Sequence, residues 1–130
     1  MTDSATSIGL LGYGTVGSAV DRLLNDRAED IARVAGGTVA VRRALVRDIE
    51  RPRGATAGVL TTDFSALRDD PKIAVVGEVM GGIEPARTYL LELFAAGKSV
   101  VSANKQLLAR HGEELFAAAE QHREIGRAHV

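Results

Sequence analysis

The sequence predicts an α/β fold with a doubly wound, mostly parallel sheet, on three observations. Short β-rich apolar runs alternate with segments of helical periodicity, a glycine-rich turn joins the first run to the first helix, and 130 residues suffice for one core. Each run is short enough to be a strand, and each intervening segment long enough to cross over the sheet.

Residues 8–11 form an apolar run stopped by Gly12, the pattern of a buried strand entering a turn. Val16, Ala19, Val20, Leu23 and Leu24 then recur at helical spacing. Arg27, Ile31 and Val34 continue the pattern to Gly36 and Gly37, so one long amphipathic helix is expected. Residues 38–46, rich in Val and Ala but carrying Arg42 and Arg43, read as a second, less buried strand. Residues 47–58 hold charges, Pro52, Gly54 and Gly58 without any period, and are expected to be loop where many dinucleotide folds place a helix.

A short third strand is expected at 59–61. Thr62 or Asp63 would cap a brief helix through Leu67, ended by the Asp69-Asp70-Pro71 turn. Residues 73–76 are a β-rich strand, with a flexible turn expected from Gly77 to Gly82. Pro85 suits the first turn of the next helix, whose stripe is Ala86, Tyr89, Leu90, Leu93 and Phe94 and whose stop is Gly97. Residues 99–102 are the next strand. Asn104 caps a last helix that places Leu108, Leu115, Phe116 and Ala119 on one side until about Gln121. The strand order expected is 3-2-1-4-5 with right-handed crossovers. This is a Rossmann-like arrangement left incomplete at the C-terminal end, where a sixth strand belongs.

Composition narrows the function classes. Apolar residues make up 45% and charged residues 25%, and 16 Lys plus Arg oppose 17 Asp plus Glu. No basic surplus exists to hold a nucleic acid or an anionic membrane surface. No apolar stretch approaches the ~20 residues of a membrane span. The absence of cysteine removes thiolate chemistry and disulfides and fits a cytoplasmic protein. His111, His122 and His129 lack metal-ligand spacing, so neither a metal site nor a catalytic histidine is expected.

Gly12-Tyr13-Gly14-Thr15-Val16-Gly17 matches G-x-G-x-x-G between a strand and a helix. The first glycine allows the tight turn, the second lets backbone approach a pyrophosphate, and the third lets helix pack on strand. Such a turn at a helix N-terminus binds phosphate through its open N–H groups, whereas three spaced glycines can also mark an ordinary turn. After the second strand, Arg47 and Asp48 offer both selector chemistries. Arg47 favours the extra phosphate of NADP without excluding NAD, and the bland alternative is a solvated pair.

Ser102 and Lys105 lie at the carboxyl end of the strand at 99–102, where open α/β sheets bind ligands. Only three of the 16 basic residues are lysines (Lys72, Lys98 and Lys105), and a lysine in the first turn of a helix opposes the dipole. A lysine can serve in proton transfer when its surroundings lower its affinity for the proton, and is otherwise a solvated surface group. Gly81 and Gly82 either bring backbone beside a cofactor or only shape a loop. Glu78 is either a general base or a structural acid.

Four segments together resemble homoserine dehydrogenase over nearly the whole chain: residues 8–17, the Leu45-Val46-Arg47-Asp48 strand end, Glu78-Val79-Met80-Gly81-Gly82-Ile83-Glu84-Pro85-Ala86, and Val100-Val101-Ser102-Ala103-Asn104-Lys105. The resemblance implies NADP- or NAD-dependent interconversion of homoserine and aspartate semialdehyde, in the route to threonine, isoleucine and methionine. It implies that Lys105 is an active-site residue contacting substrate and cofactor. The second lysine, the acidic substrate ligands and the cation site of the family would belong to a later substrate and dimerisation domain. On this reading the full-length enzyme is a homo-oligomer, while the fragment binds cofactor (Gly12, Tyr13, Gly14, Thr15, Val16, Gly17, Arg47, Gly81, Ser102 and Lys105) without turnover. Two alternatives stay open: another semialdehyde or amino-acid dehydrogenase, and a module that senses NAD(P) without chemistry. Gly77 departs from the bulkier strand residue usual in the family.

Residues 1–123 are therefore read as the cofactor domain and 124–130 as a non-native tail. One choice of codons for Ile125-Gly126-Arg127-Ala128-His129-Val130 spells a widely used sequencing-library adapter, and the segment lacks strand alternation. The sheet edge beyond 99–102 is expected to lie bare.

Overall fold

The computed structural model describes residues 5–50, 54–122 and 128–129. In chain order the elements are β1 (Thr6–Leu11), α1 (Thr15–Asp26), α2 (Ala28–Ala35), β2 (Val39–Leu45), β3 (Leu60–Thr61), α3 (Ser65–Arg68), β4 (Ile73–Glu78), α4 (Ala86–Ala95), β5 (Ser99–Ser102), α5 (Lys105–Gln121) and β6 (Ala128–His129). All strand pairs are parallel, and the order β3-β2-β1-β4-β5 is the expected one. The edge beyond β5 is not bare, which corrects the expectation for the tail. Ala128 and His129 pair with Val100 and Val101 in the place of a sixth strand, while residues 123–127 and 130 lie outside the described residues.

Strand alternation splits the core into two layers. Leu11, Leu45, Val76 and Val100 face α3, α4 and α5, joining Leu67, Leu90, Leu93, Phe94, Leu107 and Leu115. Their neighbours Leu10 and Ala44 face the other way, with Tyr13, Val41, Val46 and Val59 and the half-buried Val20 and Leu24 of α1. Helices thus cover both faces of a sheet whose central strands are β1 and β4.

Four local expectations are corrected. The long first helix is two helices, because Arg27 leaves helical geometry at φ −113° and ψ 29°. Its N–H still closes α1 on the Leu23 carbonyl, while its guanidinium reaches forward to Asp30 in the first turn of α2. Strand β4 runs through Gly77 and Glu78, which pair with Leu10 and Leu11 on one side and Val101 and Ser102 on the other. A Cβ on Gly77 would stand 3.2 Å from Leu10 Cδ2, so a larger residue there would need that side chain to give way. Pro85 is the residue before α4 rather than part of its first turn. Helix α5 bends at His111, with φ −133°, and the bend shifts its buried face. Leu107, Leu115 and Ala119 turn inward, leaving Phe116 47% exposed.

Candidate functional site

The carboxyl ends of β1, β2 and β4 open into a cleft of about 950 Å³, at the upper end of the size range of small-molecule sites. One end is lined by Leu45, Val46, Arg47, Asp48 and Thr62, the middle by Gly12, Tyr13, Gly14, Thr15 and Ser18, and the far end by Val79, Met80, Gly81, Pro85 and Tyr89.

The three glycines of the turn answer to three different neighbours. Gly12 has φ +107° and donates its N–H to the Leu45 carbonyl at 3.0 Å, with Met80 backbone 3.2 Å from where a Cβ would stand. A Cβ on Gly17 would lie 2.5 Å from the Gly12 carbonyl oxygen, so helix α1 packs this closely only on a bare Cα. Gly14 differs from both. Its φ is −84°, and a Cβ there would meet nothing within 4 Å. Packing makes no demand for glycine at this position. The volume a side chain would fill is the cradle in front of the start of α1, which is where a dinucleotide pyrophosphate fits.

Helix α1 begins with neither a side-chain cap nor an acidic residue in its first turn. Its first hydrogen bond runs from Ser18 N–H to the Gly14 carbonyl, so the preceding N–H groups at Thr15, Val16 and Gly17 are left to whatever lies before the helix. Thr15 lines the cleft, while the Val16 side chain is exposed and Gly17 is buried. Tyr13 lines the cleft with its side chain turned to the core. Its ring is buried and its hydroxyl donates to Asp21 Oδ2 at 2.5 Å, on the inner side of α1. Burial, and then the bond to Asp21, push the Tyr13 hydroxyl up to about 12. Arg47 and Asp48 are exposed on the rim, and Asp48 Oδ1 accepts the Glu50 N–H at 3.0 Å.

At the far end, Gly81 and Gly82 have φ of +74° and +76° and carry the chain round a tight turn. Behind them lies Glu78, only 1% exposed. Its Oε2 accepts the N–H groups of Met80 (3.1 Å) and Gly81 (3.0 Å), and its Oε1 accepts the Ser102 hydroxyl at 2.6 Å. Asn104 caps α5 by accepting the Leu107 N–H at 3.1 Å, and its amide donates to the Gly82 carbonyl at 2.6 Å. Ser102 is therefore buried behind the wall with its hydroxyl committed to Glu78. Lys105 is exposed at the first position of α5, next to this cluster but not among the cleft-lining residues. Gly12, Tyr13, Gly14, Thr15, Arg47 and Gly81 are thus brought to one cleft, whereas Val16 and Gly17 are not among its lining residues and Ser102 and Lys105 stand beside it. Among the described residues no group of three or more His, Cys, Asp or Glu could hold a metal ion.

Comparison with known proteins agrees with this geometry. The family described as homoserine dehydrogenase, NAD binding domain, matches residues 12–126. The chain is 47% identical over 118 residues to the homoserine dehydrogenase of Corynebacterium glutamicum, covering 90% of this chain and 26% of that protein. It is 40% identical over 119 residues to that of Bacillus subtilis, covering 90% and 28%. The crystal structure of a homoserine dehydrogenase from Thiobacillus denitrificans superposes with a TM-score of 0.85 at 43% identity, over 92% of this chain and 28% of that one. The chain spans about a quarter of the length of the curated relatives it matches. It belongs to the homoserine dehydrogenase family, and the part of that family it represents is the NAD-binding domain.

Proposed function

We propose that this chain holds the dinucleotide cofactor of an enzyme that interconverts L-homoserine and L-aspartate 4-semialdehyde. The observation that carries the reading is Gly14, a glycine with ordinary φ whose missing side chain leaves an open cradle at an uncapped helix start. Backbone at Gly12, Tyr13, Gly14, Thr15, Val16 and Gly17 would hold the pyrophosphate, Arg47 would meet the adenosine ribose and its phosphate, and Gly81 would pass beside the nicotinamide. When bound, the cofactor supplies hydride exchange with the alcohol carbon. Lys105, carried on the same sheet edge one residue after the Asn104 cap, would orient the substrate hydroxyl and assist its deprotonation.

The test is Gly14→Val, which fills the cradle without disturbing a packed neighbour. NADPH affinity, read by nicotinamide fluorescence, should fall by on the order of a hundredfold or more, ~3 kcal/mol, while the circular dichroism spectrum is kept. Unchanged affinity would remove the cradle reading.

Arg47 makes NADP the favoured cofactor in this proposal, with NAD still accepted. Homoserine or the semialdehyde is the small-molecule partner, the full-length protein is a cytoplasmic homo-oligomer, and residues 124–130 are foreign to it. The codons used for that tail decide its origin: any that differ from the adapter sequence remove the idea.

A further inference from the structure

Glu78 is the last residue of β4, flanked in the sheet by Leu11 of β1 and Ser102 of β5, and it is as buried as the surrounding leucines. A carboxylate in such a place costs stability unless its oxygens are satisfied, and a strand end does not need an acid for packing. Every partner that Glu78 has here is a donor: the N–H groups of Met80 and Gly81, the Ser102 hydroxyl and, at 3.4 Å, the Asn104 amide. These donors occupy both oxygens and screen them from the cleft, so Glu78 is placed to hold backbone rather than to take a proton from a substrate.

What it holds is the softest part of the cleft wall. Two successive glycines with positive φ have the widest conformational freedom a turn can have. Glu78 grips this turn by two N–H groups, and Asn104 grips it by the Gly82 carbonyl. The two gripping residues also meet each other, and Ser102 joins them by donating to Glu78 and accepting the Asn104 N–H at 3.1 Å. Asn104 in turn starts α5, whose first residue is Lys105.

We propose that Glu78 is a positioning residue, a buried bracket whose carboxylate locks the 80–82 turn to Ser102 and Asn104. The nicotinamide wall of the cleft and the start of α5, with Lys105, then keep one fixed relation. The proposal rests on the cofactor reading above for what the wall touches, but the bracket itself is a property of the chain alone.

The experiment therefore has two arms, applied to the full chain as wild type, Glu78→Gln, Glu78→Leu and Ser102→Ala. In the first, amide hydrogen exchange at Met80 and Gly81 should speed up by about tenfold in Ser102→Ala and more in Glu78→Leu, while amides in the middle of α4 keep their protection. Glu78→Gln should give the smallest change. Its amide can donate to the Ser102 hydroxyl while its remaining oxygen still accepts from the turn. In the second arm, NADH and ADP-ribose, which differ only in the nicotinamide, are titrated against each protein. Ser102→Ala should weaken NADH by roughly fivefold or more and leave ADP-ribose unchanged. Unaltered exchange at Met80 and Gly81 in the folded variants overturns the bracket. Equal losses for NADH and ADP-ribose overturn its local role at the nicotinamide wall. A wild type that binds neither ligand removes the cofactor reading instead, and the exchange arm still decides the bracket.

Discussion

Gly14 and Gly17 stand three residues apart and are glycine for opposite reasons. At Gly17 a methyl group would strike the Gly12 carbonyl, whereas at Gly14 it would enter open space. The first is a requirement of packing, and the second is the one the proposed cofactor reading explains. Arg47 belongs to the same scale of argument. It is exposed at the rim near Asp48, so its contact with a ribose phosphate would be a solvent-screened, charge-assisted bond of moderate strength. Arg47→Ala is expected to weaken NADPH by roughly fivefold and to leave NADH within about twofold, measured by fluorescence titration of both. Equal losses would make Arg47 a structural residue of the rim. The glycine turn was legible in the sequence because its spacing is local and each position has a separate steric job. Glu78 was legible only as an acid near the right edge. Its partners Ser102 and Asn104 lie 24 and 26 positions away, and nothing in the local pattern announces that a carboxylate will be buried against them. Tyr13 shows a related limit: its place in the motif says nothing of its ring, which turns inward to a buried Asp21.

Among the elements, the turn entering β4 binds the amino edge of the sheet much as Glu78 binds the carboxyl edge. Asp70 accepts from Arg42 of β2 at 2.5 Å and from the Lys72 N–H at 2.9 Å, and its carbonyl accepts from the buried Lys98 before β5 at 2.5 Å. Three strands are tied by one residue. The hydrogen bond from Arg42, followed by that from the Lys72 backbone, holds the Asp70 carboxyl below its ordinary value. A carboxyl depressed in the folded state adds stability that is present above its unfolded value, near 3.9, and is lost as pH falls through the folded one. Asp70→Asn should therefore lower the urea midpoint at neutral pH by on the order of half a molar, with the gap to wild type closing as the pH falls below the ordinary carboxylate range. A gap that stays constant into acid would show that the side chain acts through shape alone. Strands and their order were legible because β-rich apolar runs alternate with helical periods. The break at Arg27 and the bend at His111 were not, because apolar spacing continues across both, and only backbone angles mark the interruption. The length of β4 was misread for a related reason. Gly77 looks like a stop in isolation, but inside a central strand it is paired on both sides.

For the whole molecule, binding and chemistry separate. Sheet, glycine turn and rim assemble one cleft from β1, β2 and β4. The far end of that cleft is a different matter: its lining is Val79, Met80, Gly81, Pro85 and Tyr89, with no carboxylate, imidazole or amine among them. Tyr89 stacks on Phe64 with ring centroids 4.1 Å apart, and Glu78 is behind the wall with its oxygens occupied. Lys105 is exposed on the adjoining edge, and nothing among the described residues holds a substrate against it. A positioned acid or base contributes about a hundred- to ten-thousandfold to such a reaction, and correct placement of the reactants contributes more. On the proposed function, both would draw on a second wall facing the 80–82 turn. The expected outcome is that this chain binds NADPH yet forms none from NADP and homoserine above the rate of a cofactor-only control. Joining it to the remaining three quarters of a homoserine dehydrogenase such as that of Corynebacterium glutamicum should restore turnover, and Lys105→Ala in that fusion should reduce the rate far more than it reduces NADPH affinity. Steady-state absorbance of the reduced nicotinamide checks both. Turnover by the chain alone would show that the edge at Lys105 already suffices as an active site. A fusion unaffected by Lys105→Ala would return that lysine to the solvated start of a helix.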